Sequence, residues 1–214
     1  MPRTLQPELL DSLSAQHPDA LHSRRDLRVT NRIMGNYRWF ARTLPPLLRP
    51  GELTLELGAG GGELAAALAR RGVAADALDL WAQPDSWPPA RTWHCADLRT
   101  FDGYGAYAAL AGNLIFHHFD DAQLAALGTR LRASARVIVA CEPLRRRASQ
   151  ILFRFAGVLL GVNHITLHDA HVSIAAGFIG DELSRALGLD TFAWDVRCHH
   201  TSLGAYRMIA IRRA

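Results

Sequence analysis

The most informative segment of the chain is Leu55-Glu56-Leu57-Gly58-Ala59-Gly60-Gly61-Gly62-Glu63-Leu64. It continues a short apolar run that starts at Leu53, and it leads into an Ala-rich run that ends at Gly72. Glycines between a strand and a helix let the backbone turn sharply and approach a ligand without a Cβ atom in the way. The segment therefore predicts a strand, a ligand-binding turn and a helix, in that order.

The same alternation continues along the chain. We predict strands over residues 53–57, 75–80, 92–97, 107–116, 136–141, 191–198 and 205–212, and helices over residues 29–48, 64–71, 120–132, 144–161 and 180–187. Residues 162–178 are predicted to be irregular, and the polar segment up to Arg28 is predicted to be partly helical and loosely attached. Strands that alternate with helices indicate an α/β fold, in which ligands bind beyond the carboxyl ends of parallel strands.

The composition indicates a globular protein and argues against membrane and nucleic-acid partners. With 214 residues and 49% hydrophobic residues, the chain can bury one globular core. Its three cysteines form no CxxC pair, which favours a reducing, cytoplasmic location. The most apolar segment, residues 151–162, is too short to span a bilayer, so we expect no membrane partner. All 24 basic residues are arginines, a bias that indicates a GC-rich coding sequence more than a nucleic-acid partner.

The spacing of the glycines separates two ligand classes. A dinucleotide-binding GxGxxG motif would need glycine at position 63, where Glu63 stands, and this argues against a nicotinamide oxidoreductase. The pattern acid-x-Gly-x-Gly-x-Gly fits in full as Glu56, Gly58, Gly60 and Gly62. Here the sequence resembles the class I S-adenosylmethionine-dependent methyltransferases, especially their small-molecule branch, over most of residues 53–141. The resemblance implies a Rossmann-like, seven-stranded, mostly parallel sheet with an antiparallel last strand at residues 205–212, helices on both faces and a helical cap.

The resemblance also implies S-adenosyl-L-methionine as the cofactor. Glu56 would hold its ammonium group directly or through water, and Gly58, Gly60 and Gly62 would make room for the methionine chain and ribose. Asp79, at the end of the second predicted strand, would hydrogen-bond the ribose hydroxyls. Leu80 or Trp81 would then cover one face of the adenine.

The next two strand ends complete the implied cofactor site. Asp97, followed by Leu98, would accept a hydrogen bond from the adenine amino group, and Asn113 and Leu114 would line the methyl-donor end. In the N-terminal helix, Arg38 or Arg32 would pair with the methionine carboxylate.

Methyl transfer is an in-line displacement, for which an enzyme aligns the reactants and deprotonates the acceptor. His117 and His118 follow the fourth predicted strand, and they serve either as a catalytic base or as a cap of that strand. His168, with Asp169 to orient it, is a third candidate base. The histidines between residues 164 and 171 have metal-like spacings, but no cysteine joins them, and we expect no metal ion.

Three regions follow from this assignment: an N-terminal cofactor-covering segment (1–50), a methyltransferase core (51–143 and 188–214) and a helical or irregular cap over the active site (144–187). The cap is rich in apolar residues that we expect to line the acceptor pocket: Ile151, Leu152, Phe153, Phe155, Val158, Leu159, Leu160, Ile165 and Phe178. They favour a small hydrophobic acceptor (aromatic, polyketide or isoprenoid-like), methylated at oxygen in secondary metabolism. The alternatives are an RNA or protein methyltransferase and a non-catalytic protein that binds S-adenosylmethionine.

Overall fold

The computed structural model describes residues 1–14, 16–159 and 161–213. They contain one seven-stranded sheet with the strand order β3-β2-β1-β4-β5-β7-β6. β7 runs antiparallel to β5 and β6, and the other neighbouring strands are parallel. This confirms the predicted α/β sheet with its antiparallel last strand. The strands are β1 (Thr54–Leu57), β2 (Ala75–Asp79), β3 (Trp93–Cys95), β4 (Ala109–Asn113), β5 (Val137–Pro143), β6 (Trp194–His200) and β7 (Ala205–Arg212).

Helices cover both faces of the sheet, and each face has its own apolar core. Successive residues of β5 alternate between the two cores, because side chains of a strand point to opposite faces: Ile138 packs in one core and Val139 in the other. The helices are α1 (Pro18–Ile33), α2 (Asn36–Thr43), α3 (Glu63–Ala69), α4 (Asp121–Ser134), α5 (Arg147–Leu159), α6 (His164–Ala176) and α7 (Glu182–Ala186).

The N-terminal helical region differs from the prediction of one helix over residues 29–48. α1 begins earlier, at Pro18, where the His17 ring accepts a hydrogen bond from the amide of Asp19. The helix cannot continue through Gly35, whose φ of 68° is left-handed, and α2 begins after it. The predicted single helix is therefore wrong, and a break at Gly35 places α1 and α2 at an angle set by that residue.

The segment predicted to be irregular, residues 162–178, is mostly the helix α6. Asn163 caps its first turn by accepting a hydrogen bond from the amide of Thr166 at 2.8 Å. α6 is buried on several sides, so its sequence lacks the one-sided apolar pattern by which helices are recognised.

Residues 1–12, called here the N-terminal strap, lie firmly on the molecule. The Arg3 guanidinium donates to the carbonyls of Phe119 and Ala176, and the Thr4 amide donates to Ala175. The amides of Leu9 and Leu10 donate to the two carboxylate oxygens of Asp169 on α6. The prediction of a loosely attached segment is therefore wrong for this strap, which spans from α6 to the turn that precedes α4.

Candidate functional site

The turn after β1 lies at the carboxyl edge of the sheet. Gly58, Gly60 and Gly62 all have positive φ, between 56° and 79°. A Cβ atom on Gly58 would lie 2.6 Å from the Cδ1 atom of Ile115, so glycine is required there by both backbone and space. The Gly58 amide donates to the Leu78 carbonyl at 2.9 Å, which holds the turn against β2.

Glu56 lies beneath this turn rather than in an open cleft. Its side chain is buried, and Oε2 accepts a hydrogen bond from the amide of Ala65 in the first turn of α3 at 2.8 Å. Burial raises the pKa of the Glu56 carboxyl well above its usual value, and the nearby carboxylates of Glu63 and Asp79 raise it further. In this structure Glu56 therefore ties β1 to the start of α3.

Asp79 joins the end of β2 to the same turn. Its Oδ2 atom accepts from the Gly60 amide at 2.7 Å and its Oδ1 atom from the Trp81 amide at 2.9 Å. Burial raises the pKa of this carboxyl. Leu80 is exposed, and the Trp81 ring lies 4.3 Å from the guanidinium carbon of Arg24. Asp79 and Trp81 therefore lie beside the glycine turn, and their contacts with a ribose and an adenine stay a prediction.

The end of β3 matches the prediction less closely. Asp97 is engaged by Arg99, whose guanidinium donates to both of its carboxylate oxygens, and this pairing lowers the pKa of Asp97. The Leu98 side chain is buried in the core and does not face a cleft. Any contact of Leu98 with a ligand would have to come from its backbone.

Asn113, at the end of β4, is half-buried and forms a hydrogen-bonded group with two buried asparagines. The Asn31 Oδ1 atom accepts hydrogen bonds from the side-chain amides of Asn36 and Asn113, at 2.9 and 3.0 Å. The Oδ1 atoms of Asn36 and Asn113 are themselves buried and accept no hydrogen bond from the described residues. Because Leu57 pairs with Gly112 on the neighbouring strand, Asn113 lies beside Gly58, and the group of three asparagines therefore reaches the glycine turn through Asn113.

Helix α1 closes over this edge through residues that the sequence analysis missed. Arg24 lies over Trp81, Arg28 reaches Glu63 at 3.4 Å, and Asn31 contacts Asn113. Their spacing of four and three residues places them on one face of α1, a signal that the sequence does contain. The candidates proposed from the sequence, Arg32 and Arg38, are exposed elsewhere on α1 and α2.

Leu114, next to Asn113, has a left-handed φ of 60° and donates its amide to the Cys141 carbonyl.

A second polar group lies next along the edge, after β4 and β5. Glu142 is fully buried at the end of β5 and accepts from the amides of Ile115 and Phe116 at 2.9 Å. Its Oε2 atom lies 2.7 Å from His117 Nδ1, and His117 Nε2 lies 3.4 Å from Oε1 of Glu8 in the N-terminal strap. Burial alone would lower the pKa of His117, but its hydrogen bonds to Glu142 and Glu8 outweigh it and raise the pKa to about 9.

His118, next to His117, differs from it in being uncharged at neutral pH. Its ring centroid lies 4.3 Å from that of His117, and its Nδ1 atom lies 3.8 Å from Oδ2 of Asp11. Burial, together with the positive charge of His117, lowers the pKa of His118 to about 4. At neutral pH the pair therefore consists of an imidazolium, His117, and a neutral ring, His118.

A cavity of about 310 Å³ opens beside these two histidines. Its other walls come from the N-terminal strap and from α6. In the part of the chain that the structure describes, Glu8, His117 and His118 form a group whose possible ligand atoms lie within 4.8 Å of one another. The cavity is lined by Leu5, Gln6, Pro7, Glu8, Asp11, His117, His118, Val172, Ser173 and Ala176.

Two predictions about the cap differ from the structure. His168 does lie 3.1 Å from Asp169, but its side chain is exposed, and it does not line the cavity beside His118. The apolar residues of α5 do not line that cavity either: Ile151, Leu152, Phe155, Val158 and Leu159 point to solvent. Ile165 and Phe178 are core residues, and Leu160 lies outside the described residues.

Comparison with solved structures identifies the architecture. The plantazolicin methyltransferase BpumL, solved in complex with SAH, superposes with a TM-score of 0.73 at 10% identity, over 96% of this chain and 93% of that one. The chain has the Rossmann-like methyltransferase fold. The pyocyanin biosynthetic protein PhzM matches 97% of this chain and 62% of its own, with a TM-score of 0.66 and 18% identity. No family model and no curated protein sequence matches the chain.

Proposed function

We propose that this chain transfers a methyl group from S-adenosylmethionine to the oxygen of a small hydrophobic acceptor. The observation that carries the proposal is the pair of buried acceptors, Asn36 Oδ1 and Asn113 Oδ1, which meet no donor among the described residues. A buried polar atom without a partner destabilises a fold, so such a pair is typical of a site that receives N–H donors from a ligand. The ammonium group of an amino acid supplies such donors.

The charges around the glycine turn support the same ligand. Glu63 and Asp79 border the turn, and carboxylates at this place would repel a pyrophosphate but suit a sulfonium cation. Arg28, whose exposed side chain reaches Glu63 beside the turn at 3.4 Å, replaces Arg38 as our candidate partner of the methionine carboxylate. Asp79 would exchange its backbone contacts for the ribose hydroxyls, and Trp81 would pack on the adenine. The solved neighbour BpumL was crystallised with SAH.

When bound, S-adenosylmethionine supplies an electrophilic methyl group on a positively charged sulfur, and the residues of this chain prepare the acceptor. In our proposal the acceptor hydroxyl enters the cavity beside His118 and donates its proton to the neutral His118 ring. The ring of His117 is held on both nitrogens by Glu142 and Glu8. Burial, together with the positive charge of His117, keeps the neighbouring His118 ring neutral and able to accept the proton. Asp11, whose side chain is 62% exposed, then carries the proton from His118 Nδ1 to solvent.

The acceptor class follows from the cavity rather than from α5. Its volume of about 310 Å³ is that of a small-molecule site, and Leu5, Val172 and Ala176 give it apolar walls. A phenolic or enolic hydroxyl fits a site whose polar groups are two histidines and two carboxylates. A cytoplasmic location and a role in secondary metabolism remain part of this proposal.

Calorimetric titration with S-adenosylmethionine tests the cofactor assignment. We expect Asp79→Asn to weaken binding at least tenfold, since hydrogen bonds to a charged group are worth about 1.5–3 kcal/mol. Arg28→Gln should weaken binding more than Arg38→Gln. Asp102→Asn, which changes an exposed aspartate that pairs with Arg130, is the matched control. Equal affinity of Asp79→Asn and Asp102→Asn would refute the ribose assignment.

A further inference from the structure

Helix α5 exposes large apolar side chains to solvent along its whole length. The exposed fractions are 58% for Ile151, 53% for Leu152, 74% for Phe155, 64% for Val158 and 86% for Leu159. Five such residues on 13 consecutive positions form a contiguous patch, and contiguous exposed apolar patches mark interaction sites. Single exposed apolar residues elsewhere on the surface carry no such meaning.

The opposite side of α5 is the one that packs on the protein. A Cβ atom on Gly157 would lie 2.6 Å from the Leu167 side chain on α6, and the Gln150 amide donates to the His171 carbonyl at 3.0 Å. At 100° per residue, the exposed apolar residues, with Ala148 and Ala156, occupy an arc of about 160° that excludes this packed side. The apolar arc is therefore an outer surface of the molecule and not a part of its core.

The charges beside the arc identify its partner. Arg147 and Arg154 border one edge of the arc, and α5 contains no aspartate or glutamate. Within residues 1–14, 16–159 and 161–213, neither arginine forms an ion pair. An apolar face bordered by unpaired arginines is typical of a helix that lies in the interface of an anionic membrane.

We propose that α5 docks the protein onto an anionic lipid surface. A second copy of the chain fits the patch less well, because a two-fold contact would bring arginines together with no acidic residue of α5 to pair with them. No helix among the described residues is long and apolar enough to cross a membrane, so α5 lies in the plane of the surface.

Docking through α5 places the site close to the lipid. α6 packs on α5 with one side, and its residues Val172, Ser173 and Ala176 line the cavity beside His118. The docking itself does not depend on methyl transfer. The proposed docking replaces the expectation, from the sequence, that the protein has no membrane partner. That expectation rested only on the apolar segment being too short to span a bilayer.

Vesicle flotation with the full-length chain tests this proposal. We expect the protein to float with phosphatidylcholine–phosphatidylglycerol vesicles and to stay at the bottom with phosphatidylcholine alone. Phe155→Glu should abolish flotation, and each of Arg147→Gln and Arg154→Gln should lower the partition coefficient about fivefold. Phe192→Glu changes a residue that is 92% exposed outside α5, and it should float as the native chain does.

Three results would overturn the proposal: no flotation of the native chain, equal flotation with both vesicle types, or unchanged flotation of Phe155→Glu. A fourth contradicting result would come from sedimentation velocity. If the native chain were a dimer and Phe155→Glu a monomer, the apolar patch would be the contact between two copies of the chain. Because all substituted side chains are exposed, we expect each variant to keep the urea midpoint and the S-adenosylmethionine affinity of the native chain. A failure of membrane docking can therefore be distinguished from a failure of the proposed function.

Discussion

His117 Nδ1 and Glu142 Oε2 lie 2.7 Å apart, and both side chains are almost completely shielded from solvent. Glu142 also accepts from the amides of Ile115 and Phe116, so one carboxylate fixes both the backbone after β4 and the ring of His117. The remaining nitrogen of that ring faces Glu8 of the N-terminal strap. The pair therefore joins the sheet edge, the cavity and the first residues of the chain.

The first prediction concerns the dependence of stability on pH. The pKa of His117 is raised to about 9 in the folded state, above its value of 6.5 when unfolded, so the native chain binds more protons between these values and loses stability as pH rises. His118, with a folded pKa of about 4, acts in the opposite direction between pH 4 and 6.5. We expect the free energy of unfolding to fall as pH rises above about 6.5, and the His117 contribution, at most roughly 3 kcal/mol, to be lost by about pH 9.5.

Urea titrations across this pH range measure the loss of stability at alkaline pH, and Glu142→Gln is the informative variant. Removing the carboxylate should lower the pKa of His117 and flatten the alkaline limb. An alkaline limb that Glu142→Gln leaves unchanged would show that another group causes it.

The second prediction separates two of the candidate histidines, His118 and His168. His118→Ala removes the neutral ring that receives the acceptor proton, and we expect kcat to fall about 10²- to 10⁴-fold. His168→Ala is the matched control, since His168 is exposed and outside the cavity. The measurement is the transfer of labelled methyl groups to the best acceptor in a panel of phenols; similar losses in both variants, or in neither, would contradict the role of His118.

The third prediction concerns metal removal. Glu8, His117 and His118 could bring three ligand atoms together, but the pKa of His117 is raised to about 9, so at neutral pH both of its ring nitrogens carry protons and cannot bind a metal ion. We therefore expect methyl transfer to survive EDTA treatment. Loss of turnover that zinc or manganese restores would assign this group to a metal ion instead.

The fourth prediction concerns the glycine turn. Gly58→Ala forces a left-handed φ on a residue with a Cβ atom and brings that atom within 2.6 Å of Ile115, so we expect a loss of about 2 kcal/mol or more in the free energy of unfolding. Gly105→Ala is the control, because Gly105 has neither a positive φ nor a neighbour within 4 Å of an added Cβ.

Adding Ile115→Ala to Gly58→Ala should recover part of that loss in denaturant unfolding, with a coupling of about 0.5–3 kcal/mol between the two sites. Strict additivity of the two substitutions would refute the close contact between Gly58 and Ile115.

The sequence predicts well what depends on neighbouring residues. The glycine turn after β1 and the placement of Asp79 at the end of β2 follow from local periodicity and turn residues, whereas the antiparallel direction of β7 was implied by the resemblance to a family. The exact ends of strands are less predictable: β4 stops at Asn113 instead of residue 116 because Leu114 adopts a left-handed φ.

Contacts between distant parts of the chain could not be predicted from the sequence. Glu8 and His117 are 109 residues apart, and Asn31 and Asn113 are 82 apart, so no spacing rule relates them. The apolar residues of α5 were assigned to a pocket because composition alone does not tell an inward face from an outward one. Arg24 and Arg28 were predictable in principle from their helical spacing.

A crystal structure of the chain with S-adenosylhomocysteine tests the central claim most directly. The account predicts the amino group of the ligand within hydrogen-bond distance of Asn36 Oδ1 and Asn113 Oδ1, and the ribose hydroxyls on Asp79. A ligand bound away from β1, β2 and β4, or one whose amino group leaves both asparagine oxygens unpaired, would contradict it.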